Sequence, residues 1–333
     1  MNNLQKLSVL SMSLLLTACG GSDSAEKTLA DSTAGLLTVS ISDAPMNNVD
    51  KVELVLDHLV MTDEHGETHQ FPMNGKSFDL MQYQGADSFK AVDRLAIPTG
   101  QYHDVHFTVI QGDGNQGCAI ENIDGRHGLN IEDGMLPLHD FTMTQDQHMS
   151  MTLEIDLYRS VWQDSGEYRL SHGGMYSIDN RHMGHLVGNV DPQWIEDCET
   201  EHADKIDNGL YAHMAYLYDA TVTDIDMMVD VSSARTDQRQ SPIALSPIKI
   251  HQDGSGNWSF SMGFLPEGDY RVGYTCLASK DDPVIDDMNQ GQFQMFRDAG
   301  ALTIEAGENG GQQNDHQCGS GGDTGNGHMG GHG

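Results

Sequence analysis

The sequence predicts an all-β chain made of two β-sandwich domains in tandem. Three features carry that expectation. Apolar and polar residues alternate with period two in one segment after another, as in strands with one buried face. Gly-rich breaks return at intervals too short for helices to intervene. One local pattern, Ile97-Pro98-Thr99-Gly100-Gln101-Tyr102, comes back as Leu265-Pro266-Glu267-Gly268-Asp269-Tyr270. In both copies an apolar residue seals a core, Pro and Gly turn the chain, and Tyr enters the next strand with its ring packed.

In chain order, residues 1–18 read as a removable export signal. Lys6 and the amino terminus are cationic, and Leu7 to Leu16 form an apolar run. That run is shorter than the roughly 20 apolar residues a permanent span needs. Leu16-Thr17-Ala18-Cys19 resembles the lipobox that a bacterial lipoprotein signal peptidase cuts before a diacylated cysteine. Acyl chains on Cys19 would each contribute ~0.8 kcal/mol per buried methylene, so two or three anchor the chain to a membrane. Gly20 stands where many inner-membrane lipoproteins carry Asp, which favours the outer membrane. Residues 19–34, rich in Gly, Ser, Asp and Thr, read as a flexible tether.

The first domain is expected over 35–183. Leu37, Val39 and Ile41 alternate with Thr38, Ser40 and Ser42, and Asp43-Ala44-Pro45 stops the strand. Val52, Leu54 and Leu56 repeat the pattern, as do Val105, Phe107 and Val109. Met149, Met151, Leu153, Ile155 and Leu157 form another apolar face opposite Ser150, Thr152, Glu154 and Asp156. Phe89, Val92 and Leu95, spaced by three, suggest a short helical turn within Leu80 to Arg94. The second domain is expected over 184–306. Its strands are Leu186 to Val190, Tyr211 to Tyr218, and the segment of Trp258, Phe260 and Met262 after the turn Asp253-Gly254-Ser255-Gly256-Asn257. Residues 307–333, rich in Gly and His, lack the apolar residues a core needs and are expected to be disordered.

These residues resemble an uncharacterised bacterial family, the domain of unknown function numbered 4382. The likeness rests on Ser42-Asp43-Ala44-Pro45, on Val49 to Leu56, on the Ile97-Pro98-x-Gly100-x-Tyr102 corner, and on Leu153 to Val161. It covers roughly 35–183, and its members are often lipoproteins. The resemblance implies a fold and an address, with no settled reaction. Gly254 to Val272 is similar to the prealbumin-like or carboxypeptidase-regulatory-like sandwich, a relative of the immunoglobulin-like layout.

Fifty Asp and Glu face 17 Lys and Arg, a formal charge of −33 that repels phosphate backbones and speaks against a nucleic-acid partner. With Cys19 lipidated, Cys118, Cys198, Cys276 and Cys318 remain. Cys198 with Cys276 is the first pairing expected, since both fall in the second domain; Cys118 and Cys318 would bond across domains or stay free. Asp281, Asp282, Asp286 and Asp287 around Pro283 form an acidic turn that offers oxygens to calcium, although EF-hand spacing is absent. Asp224, Asp226 and Asp230 form a weaker acidic group, expected in an exposed strand or loop. With 19 Met and 17 His, His182-Met183-Gly184-His185 and His328-Met329-Gly330-Gly331-His332 present soft ligands that suit copper. On a regular strand His182 and His185 point to opposite faces, which opposes a shared ion. Neither a GxSxG elbow, an HExxH helix nor a phosphate loop occurs. The expected function is a non-enzymatic, lipid-anchored envelope protein that holds or presents an envelope protein or glycan. Its rival is a calcium- or copper-binding lipoprotein, with an unrecognised hydrolase behind both.

Overall fold

In the first half, alternating strands close into two facing sheets around one core. The computed structural model describes residues 34–44, 46, 49–206, 209–232, 237, 239–307 and 312–319. One sheet runs Met175–Asp179, His148–Asp156, Ala34–Ala44, Phe89–Pro98. The other has nine strands around Lys51–Asp63, which pairs with Thr68–Asp79, Gly100–Val109 and Ala119–Asn122. Leu37, Val39, Ile41, Met151 and Leu153 meet Leu54, Leu59 and Phe107 between the sheets, so Met149 and Met151 are core fillers. Phe89, Val92 and Leu95 lie in a strand. Their spacing by three comes from a register shift, where Leu37 faces Leu95 but Val39 faces Val92. Arg94 takes φ 53° at that irregularity, and the helical turn of this region is confined to Leu80–Gln82.

The second half repeats the plan with two four-stranded sheets. One runs Lys249–Ile250, Trp258–Pro266, Met183–Val190, Gln312–Cys318, and the other Ala244–Pro247, Met214–Asp219, Gly268–Thr275, Arg297–Ile304. Two features depart from the sequence expectation. Gln312–Cys318 is a strand parallel to Met183–Val190, with Cys318 buried opposite Val190, so the expected disorder of 307–333 fails there. Backbone pairing along Met183–Val190 compensates for the few apolar side chains of this segment. Pro192–Glu201 is an α-helix, started by the Asp191 carboxylate, which accepts from the Gln193 amide at 2.9 Å, and by Pro192 in the first turn. Among the described residues no helix is long and apolar enough to cross a membrane.

The recurring corner has the same construction in both halves. Tyr102 Oη donates to the Pro98 carbonyl at 2.9 Å, and Tyr270 Oη to the Pro266 carbonyl at 2.8 Å. Both rings are buried, and Gly100 and Gly268 take φ 150° and 158°.

From Ala34 onward the described residues form one compact unit. Strand pairing separates 34–179 from 183–318, yet side chains cross the division. Tyr158 Oη donates to the carbonyls of Ala278 and Asp281, and Arg159 Nη1 donates to the Ile243 carbonyl at 3.0 Å. The backbones meet at Gly85 and Gly263, where a Cβ on Gly263 would lie 1.7 Å from the Gly85 carbonyl oxygen. The polar face of the first sheet, expected to face water, is therefore covered: Thr38, Ser40, Ser42, Thr152, Glu154 and Asp156 are all buried. Alternation marks which face is apolar; it does not place the other face in solvent.

Candidate functional site

The acidic turn is rearranged relative to its expected form. Asp281 and Asp287 converge with Asp230, all three buried, and one carboxylate oxygen from each lies within 4.8 Å of the others. Asp282 and Asp286 serve the turn instead: Asp282 accepts from the Val284 amide at 2.9 Å, and Asp286 from the Asn289 amide at 3.1 Å. Asp230 is fully buried, not exposed as its neighbours Asp224 and Asp226 suggested, and belongs with residues some fifty positions on. Donors already surround this trio. Asp281 accepts from Tyr216 Oη at 2.7 Å and the Val231 amide at 3.1 Å, Asp230 from the Met288 amide at 2.8 Å, and Asp287 from the Asp282 amide at 2.7 Å. The arrangement fastens the 281–295 segment over the sheet.

The soft ligands do not come together. His182 is exposed and pairs with Glu267 at 3.1 Å. His185 is buried, accepts from the Phe264 amide at 3.1 Å, and packs edge-on against the Phe264 ring; burial holds its pKa below the ordinary histidine value. Met183 lies in the same small apolar cluster. His182 ends the turn Asn180–His182 before the strand begins at Met183, while His185 lies within that strand and faces the interior, so the two imidazoles are separated by burial rather than by strand alternation. His328, His332 and Cys19 lie outside the described residues.

Cys198 and Cys276 form a disulfide that ties the Pro192–Glu201 helix to the end of the Gly268–Thr275 strand. Cys118 and Cys318 do not pair, because each is packed into a different core. Burial raises their thiol pKa values to about 11 and about 12, which leaves them poor nucleophiles.

The residues that sequence reasoning did not mark as a site lie at the junction of the two halves. The parallel register of Ala34–Ala44 with His148–Asp156 sets Ser42 beside Glu154 and Ala44 beside Asp156. Asp43, Glu154 and Asp156 line a small cavity of about 10 Å³ with Tyr176, and Ala244, Leu245, Met262 and Gly263 wall it from the second half. The three carboxyl groups are 0%, 3% and 2% exposed. Both oxygens of Asp43, Glu154 Oε2, Asp156 Oδ2 and the Tyr176 hydroxyl are buried without a hydrogen-bond partner. Burial first, then repulsion from Glu154 and Asp156, holds the Asp43 carboxyl well above the ordinary range, only partly offset by the Leu157 amide. Burial does the same for Glu154 against the Ser42 hydroxyl, and raises Asp156 to about 7 against the opposing pull of Arg159. The available signal was two acidic residues, Glu154 and Asp156, on a strand face that also carries small polar residues.

Residues 34–171 match the sequence model of a domain of unknown function, DUF4382. All three cavity carboxylates and the crossing side chains Tyr158 and Arg159 fall inside the DUF4382 span, while Tyr176 lies just beyond it. No curated protein matches the chain. Among solved structures, a leucine-rich repeat protein from Bacteroides thetaiotaomicron is similar at 13% identity and TM-score 0.22, over 86% of this chain and 26% of that one, so the chain spans about a quarter of that protein. A putative adhesin from Bacteroides ovatus aligns at 8% identity and TM-score 0.16, over 90% and 94% of the two chains. The fimbrial anchor protein of Porphyromonas gingivalis aligns at 11% identity and TM-score 0.16, over 74% and 83%. Scores this low transfer no property of those proteins to this chain.

Proposed function

We propose that the protein is a lipid-tethered, non-catalytic component of a bacterial cell envelope, anchored through Cys19, that holds or presents a surface to an envelope protein or glycan. The observation that carries this reading is the lock between the halves: Tyr158 and Arg159 reach from the first into the second, and Gly85 meets Gly263 backbone to backbone. Two sandwiches fastened this way suit presentation of a fixed surface at the end of a tether. A hinged pair that closes on a ligand would need a mobile division instead. Solvent-facing loops carry apolar side chains that a partner would cover, with Ile123 at 95% and Leu210 at 72% exposed.

The test is made in the producing bacterium with the full chain and a Cys19→Ser variant. Expected are incorporation of an alkyne-labelled fatty acid into the wild type, loss of that label and of membrane retention in the variant, and saturable binding of the purified protein to isolated envelopes. A wild-type chain that takes no label and fractionates as soluble would overturn the anchored reading. Turnover of an envelope polymer by the purified chain would overturn the non-catalytic one.

A further inference from the structure

We propose that the small cavity between the two halves is a binding site for one hard divalent cation of the calcium class, with Asp43, Glu154 and Asp156 as its ligands. The cavity, about 10 Å³, has room for one water-sized occupant. Buried polar groups in folded proteins almost always have partners. Here both oxygens of a fully buried Asp43 lack a partner at hydrogen-bond geometry, the Leu157 amide acting on them only weakly, and one oxygen each of Glu154 and Asp156 and the hydroxyl of Tyr176 share that condition at the same cavity wall. Five polar atoms without partners around one small space call for an occupant that accepts several oxygens at once, and a metal ion does so.

Charge narrows the choice. When ionised, the three carboxylates carry three negative charges, opposed by the Arg159 guanidinium acting on Asp156 and joined by Asp79 acting on Asp43, a net negative site for a divalent ion to balance. Carboxylate and phenolic oxygens are hard donors, suited to calcium, magnesium or manganese. Met262 puts one thioether on the wall, so copper(I) is the competitor to exclude. The carboxylates stand further apart than those of the Asp230, Asp281 and Asp287 trio, whose oxygens lie within 4.8 Å. An ion held by all three would have to bring their oxygens within that span. In the trio, amide and tyrosine donors already hydrogen-bond the carboxylates. Because the cavity is walled by both halves, binding there stabilises the junction, and release of the ion requires the junction to open.

The test uses the full chain in detergent, stripped with EDTA and titrated with calcium by calorimetry and thermal melting. Expected are one calcium per chain and a melting temperature that rises with calcium concentration. Asp43→Asn should weaken binding at least tenfold, while Asp281→Asn leaves it unchanged. Should Asp43→Asn fail to fold, terbium replaces calcium: one ion per chain with tyrosine-sensitised emission, lost in Tyr176→Phe, supports the site. The proposal is overturned by no binding at millimolar calcium, by binding that follows Asp281→Asn, by terbium emission that survives Tyr176→Phe, or by copper(I) outcompeting calcium.

Discussion

Each half of the molecule contains a sheet buried on both faces, and the two second faces are opposite in chemistry. In the second half the Met214–Asp219 strand points Ala215 and Leu217 into one core and Met214, Tyr216 and Tyr218 into another, closed by Met228, Phe293 and Met295 from its own loops. In the first half the sheet containing Ala34–Ala44 and His148–Asp156 points Thr38, Ser42, Glu154 and Asp156 away from its core; all four are buried, Glu154 and Asp156 against the other half and Ser42 against the carbonyls of Tyr83 and Asp87. The apolar face is sealed mainly by packing, with the Asp281 carboxylate accepting from Tyr216 Oη at its edge, and this packing needs no ligand. The acidic face has to satisfy its carboxyls by protons or by a cation. A double-buried sheet is therefore stable by different means depending on which residues alternate with its core.

Breaking the apolar closure should have the largest effect. Phe293 is buried and sits edge-on to Tyr216 with ring centroids 5.5 Å apart. Phe293→Ala should cost about 3–5 kcal/mol, read from urea unfolding, with little dependence on pH between 5 and 8. A loss that varied steeply with pH would mean the loop closure depends on the Asp230, Asp281 and Asp287 carboxylates rather than on packing.

The acidic closure should respond to pH instead. Asp156, with its pKa raised to about 7, keeps in the folded chain a proton that the unfolded chain releases near the ordinary value of about 3.9. Stability should therefore fall as pH rises from about 4 to 7, by about 1.4 kcal/mol per unit for this group. Asp43 and Glu154, also raised, add to the slope in the same sense, and Asp79 repels Asp43. In EDTA, Asp156→Asn should remove about one proton's worth of that slope in melts taken across pH 4–7. An unchanged slope would show that Asp156 ionises freely in the folded chain.

What could be read from the sequence follows from how far each signal reaches. Strand alternation and the Pro-Gly-Tyr corners are local patterns, and both halves display them in the structure. The Phe89, Val92 and Leu95 spacing misled because a bulge adds a residue to a strand and imitates a helical period. The Pro192–Glu201 helix carried a readable start in Asp191-Pro192, masked by the β grammar around it. The two acidic sites were legible only in part. Asp230 joins Asp281 and Asp287 across a long sequence separation, and Asp43 meets Glu154 and Asp156 because a parallel pairing aligns strands more than a hundred residues apart. Burial of the polar face was hidden altogether, since the partner that covers Glu154 and Asp156 is supplied by residues 244–263, whose own pattern gives no sign of it.

The corners offer the smallest and sharpest comparison, because there the two halves share geometry while their surroundings differ. Tyr102→Phe and Tyr270→Phe each remove one hydroxyl and leave the Pro98 or Pro266 carbonyl without its tyrosine donor, at a cost of about 1 kcal/mol. Tyr102 also stacks on Phe141 at 5.2 Å between centroids; the phenylalanine variant keeps that contact, so the substitution isolates the hydroxyl. The two losses should match within about 0.5 kcal/mol, and the double variant should lose their sum, as expected of separated sites. Hydrogen exchange should place each loss in its own half. If Tyr270→Phe instead cost several times more than Tyr102→Phe, the corner would owe its strength to the surrounding core, and its recurrence would reflect the demands of turning a strand rather than an energetic unit used twice.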